Sequence, residues 1–228
     1  MDRIESIKNH FEEEAEVFDK TIITLIPYYT EMIDALVLSI PFDKAEPISV
    51  IDLGCGTGTV ARKIKDAFPG AKISCLDIAE NMINIAQKKL GGCADCYVGD
   101  FYKFEFDKKY DVIVSSLALH HLANDEDKKR FYRKIYNALN DNGVFYNADV
   151  VLGSSDRLQD LYLAKWKAFM NRSVSLEEIE NKWMVNYRTE DQPTRLMNHI
   201  NWLTDIGFGD VDIVWKYYNF AVYGGCKK

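Results

Sequence analysis

The sequence predicts an α/β fold, a doubly wound and mostly parallel sheet with helices on both faces. Three observations carry that expectation. Between residue 48 and about 151, short apolar runs alternate with helical patterns, as parallel strands covered on both sides require. The first of these runs leads straight into Gly54, Gly56 and Gly58, at alternate positions, where a helix begins. Two alternating segments, 211–215 and 218–223, close the chain and should pair as an antiparallel hairpin at the sheet edge. A length of 228 residues suits one core with embellishments.

Residues 1–40 read as helical, with Ile4, Ile7, Phe11, Ala15, Phe18 and Ile22 at three-to-four spacing and a break at Pro27. Pro41 and Pro47 bracket a linker. Strands are expected at 48–53, 72–76, 96–98, 111–115 and 143–151, with helices at 58–68, 80–90 and 125–139 between them. Asn142-Gly143 reads as the stop of the third helix. Further helices are expected at 156–170, 176–183 and 194–206, the last closed by Gly207. Residues 1–47 are thus expected to form a helical lid on a core complete without them. Residues 48–228 form the domain itself, with 154–192 as a helical insertion over the sheet.

Composition narrows the function. At 47% hydrophobic and 28% charged the chain is globular in type. No apolar run approaches the roughly 20 residues of a membrane span. The start, Met1-Asp2-Arg3-Ile4-Glu5, has neither the basic end nor the apolar stretch of a secretory signal, so a cytoplasmic location is expected. A formal charge of −7 argues against a large phosphate-neutralising surface, and nucleic acid is not the expected direct substrate. Five cysteines, Cys55, Cys75, Cys93, Cys96 and Cys226, read as reduced thiols. Cys93 and Cys96 have the spacing of half a zinc site, but no second pair completes it, so no metal is expected.

The glycine loop is the strongest signal. Glycine permits positive φ and lets the backbone approach a ligand closely, and the helix start supplies free N–H groups. A dinucleotide loop would read G-x-G-x-x-G, but here the third glycine comes one residue early, and no Gly-Lys-Ser/Thr follows. Asp52 stands two residues ahead of Gly54. A carboxylate there repels phosphate and favours a cation. Asp77 ends the second strand, where it can accept both hydroxyls of a ribose. Asp100 ends the third, where it can accept from an adenine amino group while Phe101 packs on the ring.

Asp52-Leu-Gly-Cys-Gly-Thr-Gly58, Asp77-Ile-Ala-Glu-Asn-Met82, Gly99-Asp100 and Tyr110-Asp-Val-Ile-Val-Ser-Ser116 occur in order and together resemble the class I S-adenosylmethionine-dependent methyltransferases. The resemblance implies a Rossmann-like seven-stranded sheet with a reversed last strand, and S-adenosylmethionine as cofactor. It further implies that Gly54, Cys55 and Gly56 line the methionine part and Asp77 holds the ribose. Ile78 and Met82 would flank adenine, Asp100 and Phe101 complete its pocket, and Ser116 and Leu117 face the cofactor from strand four.

The flanks are similar to a narrower group, the carboxy-S-adenosylmethionine synthases of tRNA wobble-uridine modification. The similarity rests on Ala15-Glu-Val-Phe18-Asp, Ile26-Pro-Tyr-Tyr29, the segment from Ser175 to Trp183, and Trp215-Lys-Tyr-Tyr-Asn-Phe220. It implies that Tyr29 reaches the cofactor. The synthases grip their extra carboxylate with an arginine where this chain has Trp183. Arg188 lies nearby in sequence. Without that bidentate partner an ordinary methyl donor is expected.

Leu119-His120-His121-Leu122 follows strand four on the acceptor side. Either histidine could take a proton from a hydroxyl or amine, or both could contact ligands by shape alone. No Asn-Pro-Pro-aromatic tetrad follows the strand, which argues against amino methylation of adenine or glutamine. The insertion carries Tyr162, Trp166, Phe169, Met170, Trp183, Met184 and Tyr187, either as core or as part of a water-excluding lid. The expected activity is methyl transfer to a small-molecule acceptor, and a homodimer is compatible with it. The alternatives are a carboxylated-cofactor synthase and a non-catalytic S-adenosylmethionine-binding protein.

Overall fold

The computed structural model describes residues 3–228, so the first two residues of the expected helical start lie outside it. Helices α1 (Arg3–Glu14), α2 (Phe18–Leu25) and α3 (Tyr29–Leu38) come first. Around Pro27 the axis turns by 99° between α2 and α3. Among the described residues no single helix is long and apolar enough to cross a membrane. Helices α2 and α3 together have the length and apolar composition of a bent span, but Met32, Ile33 and Leu36 of α3 are wholly buried inside the protein.

The remaining elements are β1 (Ser49–Leu53), α4 (Thr59–Ala67), β2 (Lys72–Asp77), α5 (Glu80–Leu90), β3 (Ala94–Val98), β4 (Tyr110–Ser116), α6 (Asp125–Ala138) and β5 (Leu139–Val150). After them come α7 (Asp156–Met170), α8 (Leu176–Glu178), α9 (Met184–Thr189), α10 (Leu196–Ile206), β6 (Phe208–Tyr217) and β7 (Phe220–Lys227). The order β3-β2-β1-β4-β5-β7-β6 makes one seven-stranded sheet with a switch point between β1 and β4. Ligands bind at such a point, beyond the carboxyl ends of the strands. Strand β7 runs antiparallel to both neighbours. The terminal hairpin is therefore at the edge as expected, but its second strand lies inside and β6 forms the rim.

Alternation along β1 divides the core. Val50 packs with Val112, Val114 and α3 on one face. Ile51 and Leu53 pack with Ile113, Tyr132 and Leu203 on the other. Because α3 supplies three fully buried side chains to the first face, that face is not complete without the N-terminal segment, which corrects the expectation. Helix α2 adds Ile22 and Leu25 to the same cluster, whereas α1 adds none.

Two local expectations also change. Helix α6 stops at Ala138, and Asn142-Gly143 lies within β5, where Asn142 has φ +62° and the register against β4 shifts. The left-handed tolerance that ends helices serves here as a bulge. The expected helix at 176–183 continues to Thr189 through a π-helical turn, Ile179–Trp183.

Candidate active site

The loop after β1 folds onto the end of β2. Gly54 and Cys55 both donate their N–H to the Leu76 carbonyl, at 2.7 and 3.0 Å. Gly54 has φ +70°, and a Cβ on it would lie 2.2 Å from the Ala118 Cβ. Gly58, at φ +80°, opens α4 against Ala86 of α5. These glycines are required by contact as well as by dihedral.

Two aspartates sit behind the loop. Asp77 Oδ2 accepts the Gly56 N–H at 2.8 Å and Oδ1 accepts the Ala79 N–H at 2.9 Å, and burial pushes its carboxyl up. Asp52 Oδ2 accepts the Ala61 N–H, whereas Oδ1 is buried with no partner. Burial pushes Asp52 up to about 7, with neighbouring Asp77 adding to the shift and the Ala61 N–H opposing it. Asp100, after β3, accepts the Tyr102 N–H at 2.9 Å.

These groups open on one cleft of about 940 Å³, counted to its mouth. The end of β1 and the loop after it contribute Asp52, Gly54, Cys55 and Gly56, and the end of β2 with the start of α5 contributes Asp77, Ile78 and Met82. Asp100 and Phe101 come from beyond β3, Ser116 and Leu117 from β4, and Tyr29 from α3. All twelve residues expected at the cofactor converge there. The fit to S-adenosylmethionine rests on the glycine cradle and on the orphaned, buried Asp52 oxygen, which suits a cationic ligand.

The two histidines part company. A second cavity of about 740 Å³ shares Phe11, Phe18, Leu117 and His121 with the first. His121 borders both, whereas His120 opens only on the second. His120 sits with Nδ1 2.5 Å from Asp149 and Nε2 3.3 Å from Asp191. Burial alone would lower it, but those two carboxylates raise it to about 10. Burial and the charge on His120 push His121 down to about 4. His121 Nδ1 lies 3.3 Å from the Glu190 carbonyl and Nε2 has no partner. The neutral ring donates through Nδ1 and keeps a lone pair on Nε2. His120, His121 and Asp191 bring donor atoms within 4.8 Å of one another. Both ring nitrogens of His120 face carboxylates, Asp149 on one side and Asp191 on the other. Leu117, in the left-handed region at φ +51°, marks the junction of the cavities, a strained backbone position of the kind that collects at functional sites.

Several contacts around the two cavities were not assigned from the sequence. Ile4, Ile7 and Phe11 of α1 roof the cofactor cleft. Glu12 caps α5 through the Glu80 and Asn81 N–H groups, both at 2.8 Å. Asp19 of α2 takes Lys89 at 2.7 Å and the Thr57 hydroxyl at 2.5 Å. His10 bridges Glu190 at 2.6 Å and Glu14 at 3.2 Å, and Trp166 donates to the Leu25 carbonyl at 2.7 Å. Helices α1 and α2 thus meet the 154–192 segment over the second cavity. Asp149 and Asp191 were not assigned either. Asn147-Ala-Asp149, polar at alternate positions in an otherwise apolar strand, was the available signal for the first.

Comparison with known proteins agrees with this geometry. Residues 50–143 match the family model described as a methyltransferase domain. The carboxy-S-adenosyl-L-methionine synthase of Campylobacter lari is 24% identical over 93% of this chain and 92% of its own length. Malonyl-[acyl-carrier protein] O-methyltransferase 1 of Ilyobacter polytropus is 33% identical, over 42% of this chain and only 35% of its own. Among solved structures, the complex titled DhpI-SAM-HEP superposes with TM-score 0.68 at 20% identity, covering 99% of this chain and 97% of that one. Fold, cleft and matched domain define a class I S-adenosylmethionine-dependent methyltransferase. Within that class the chain resembles the carboxy-S-adenosylmethionine synthase group along nearly its whole length.

Proposed function

We propose that this enzyme methylates a small-molecule acceptor held in the second cavity. The observation that carries the reading is the meeting of two cavities at Leu117 and His121. S-adenosylmethionine supplies an electrophilic methyl group on a sulfonium. Asp77 would hold its ribose hydroxyls, Asp52 would face its positive charge, and Phe101, Ile78 and Met82 would enclose its adenine. His121, neutral and with Nε2 free, would take the acceptor proton, while His120 would stay charged and shape the wall. Helices α1 and α2 with the 154–192 segment would act as a lid, since their contacts close over both cavities and exclude water.

Cofactor binding by calorimetry tests the first part. Asp77→Ala removes a charge-assisted acceptor of about 1.5–3 kcal/mol, a loss of roughly tenfold to a hundredfold in affinity. Unchanged affinity in a folded variant would defeat the assignment. A screen of hydroxyl, amine and thiol acceptors, read as demethylated cofactor, tests the second.

The whole-length likeness to the synthase group supports a second reading, formation of a carboxylated cofactor. Against it stand Trp183 in place of an arginine and a second cavity whose lining has no lysine or arginine.

A further inference from the structure

Behind Asp149 a chain of polar side chains runs through the core beneath the hairpin. Asn147 Nδ2 donates to Asp149 Oδ2 at 3.1 Å and to the Tyr223 hydroxyl at 2.9 Å. Tyr223 and Tyr132 hydroxyls lie 2.9 Å apart, and Tyr132 is 2.7 Å from His199 Nδ1. The three middle side chains are fully buried, and His199 is 3% exposed.

The chain has one direction. A carboxylate only accepts, so Asn147 must turn its NH₂ towards Asp149, and its second hydrogen goes to Tyr223. Tyr223 then gives its own proton to Tyr132, and Tyr132 gives its proton to His199 Nδ1. Burial pushes His199 down to about 4, in keeping with a neutral ring that accepts at Nδ1.

Apolar residues of the same shape would fill this space without burying four polar side chains, so the network demands an explanation beyond packing. Its outlet is Asp149, and through it His120. Register confirms the built arrangement, since Asn147 pairs with Tyr223 across β5 and β7.

We infer that Asn147, Tyr223, Tyr132 and His199 are positioning residues for the acceptor-side histidines. They fix the Asp149 carboxylate so that it takes His120 Nδ1–H and leaves Nε2–H facing Asp191 at the cavity wall. The consequence for the acceptor rests on the proposed methyl transfer, whereas the positioning itself does not. Other charged groups near this pair are Lys128 on α6, Arg3 on α1, and Glu190 and His121 beside Asp191, and none of them belongs to the network.

The chain has four histidines, so ¹⁵N imidazole NMR resolves each one. In the unaltered protein His120 should show both ring nitrogens protonated at pH 7, with a slowly exchanging Nδ1–H. Tyr223→Phe keeps the ring and removes one link. It should shift or broaden the His120 Nδ1–H and lower its titration midpoint by about one pH unit, leaving His10 unmoved, while S-adenosylmethionine affinity stays within about twofold. His120 signals that match the unaltered protein in a folded Tyr223→Phe would overturn the inference. Should that variant fail to fold, Tyr132→Phe, which breaks the chain one link further out, must show the same change at smaller size, and no change there counts equally against it. Loss of cofactor binding by the unaltered protein would sink the methyltransferase reading and leave this result standing.

Discussion

Asp52 accepts the Ala61 N–H at 3.2 Å through Oδ2 and leaves Oδ1 buried without a partner at the cofactor cleft. Burial holds this carboxyl at about 7 instead of 3.8, so at pH 6 the free protein carries it mainly as the neutral acid. A cation beside it must first draw off the proton. Cofactor affinity should therefore fall as pH drops below about 7, by at most roughly tenfold per unit, and binding at pH 6.5 should release a proton. Calorimetry in two buffers of different ionisation heat reads that release. Because the folded-state value lies above the unfolded one, this group also makes the ligand-free fold less stable as pH rises from about 4 to about 7. Binding without proton release would remove Asp52 from the cation.

Gly54→Ala should cost the cofactor site more than the fold. The added methyl group meets Ala118 at 2.2 Å, so the loop must move away from β4. Gly92→Ala is the matched control, since its φ of +74° carries the same strain but nothing lies within 4 Å. Both variants should lose about 1 kcal/mol to backbone strain. Only Gly54→Ala should lose cofactor affinity, by about tenfold or more. Equal affinities in the two variants would show that the close approach has no bearing on binding.

These positions were legible in the sequence because each follows locally from a strand end. An apolar run fixes the strand, and the residue just beyond it must face the ligand edge of a parallel sheet. Asp52, Asp77, Asp100 and Ser116 could be placed in that way. Asp191 could not, because it reaches His120 from a loop about seventy residues away, and no local pattern encodes that meeting. The role of α3 was hidden for a similar reason. Its amphipathic spacing matches that of α1, and only the tertiary fold puts Met32, Ile33 and Leu36 on the sheet while α1 stays over the cleft.

The second cavity offers an anionic ligand no cation to pair with beyond its protonated histidines. Trp183 donates its indole N–H to Glu178 at 3.1 Å, and Arg188 is exposed and does not line the cavity. Incubation with S-adenosylmethionine and prephenate, the substrate that the synthase resemblance implies, should give no carboxylated cofactor by mass spectrometry. Clear product would reverse the ranking of the two readings.

The N-terminal segment should divide under hydrogen exchange. Helix α3 is part of the core, so removing residues 1–40 should abolish the cooperative fold, whereas removing residues 1–14 should leave it intact. At its rim helix α1 is held by polar contacts, from Glu12 to α5, His10 to Glu190, and Arg3 to the Glu190 and His121 carbonyls. Such contacts open at low free energy, and a ligand beneath them raises it. On cofactor addition α1 and residues 176–190 should gain protection while α3, already buried, changes little. Burial would lower His10, but Glu14 and Glu190 raise it to about 9, so its contribution is present at neutral pH and lost as pH rises through about 9. Corrected for intrinsic rates, α1 should therefore exchange faster above that pH than below it. Protection confined to the loops around Gly54, Asp77 and Asp100 would make α1 a fixed wall of the cleft, not a lid.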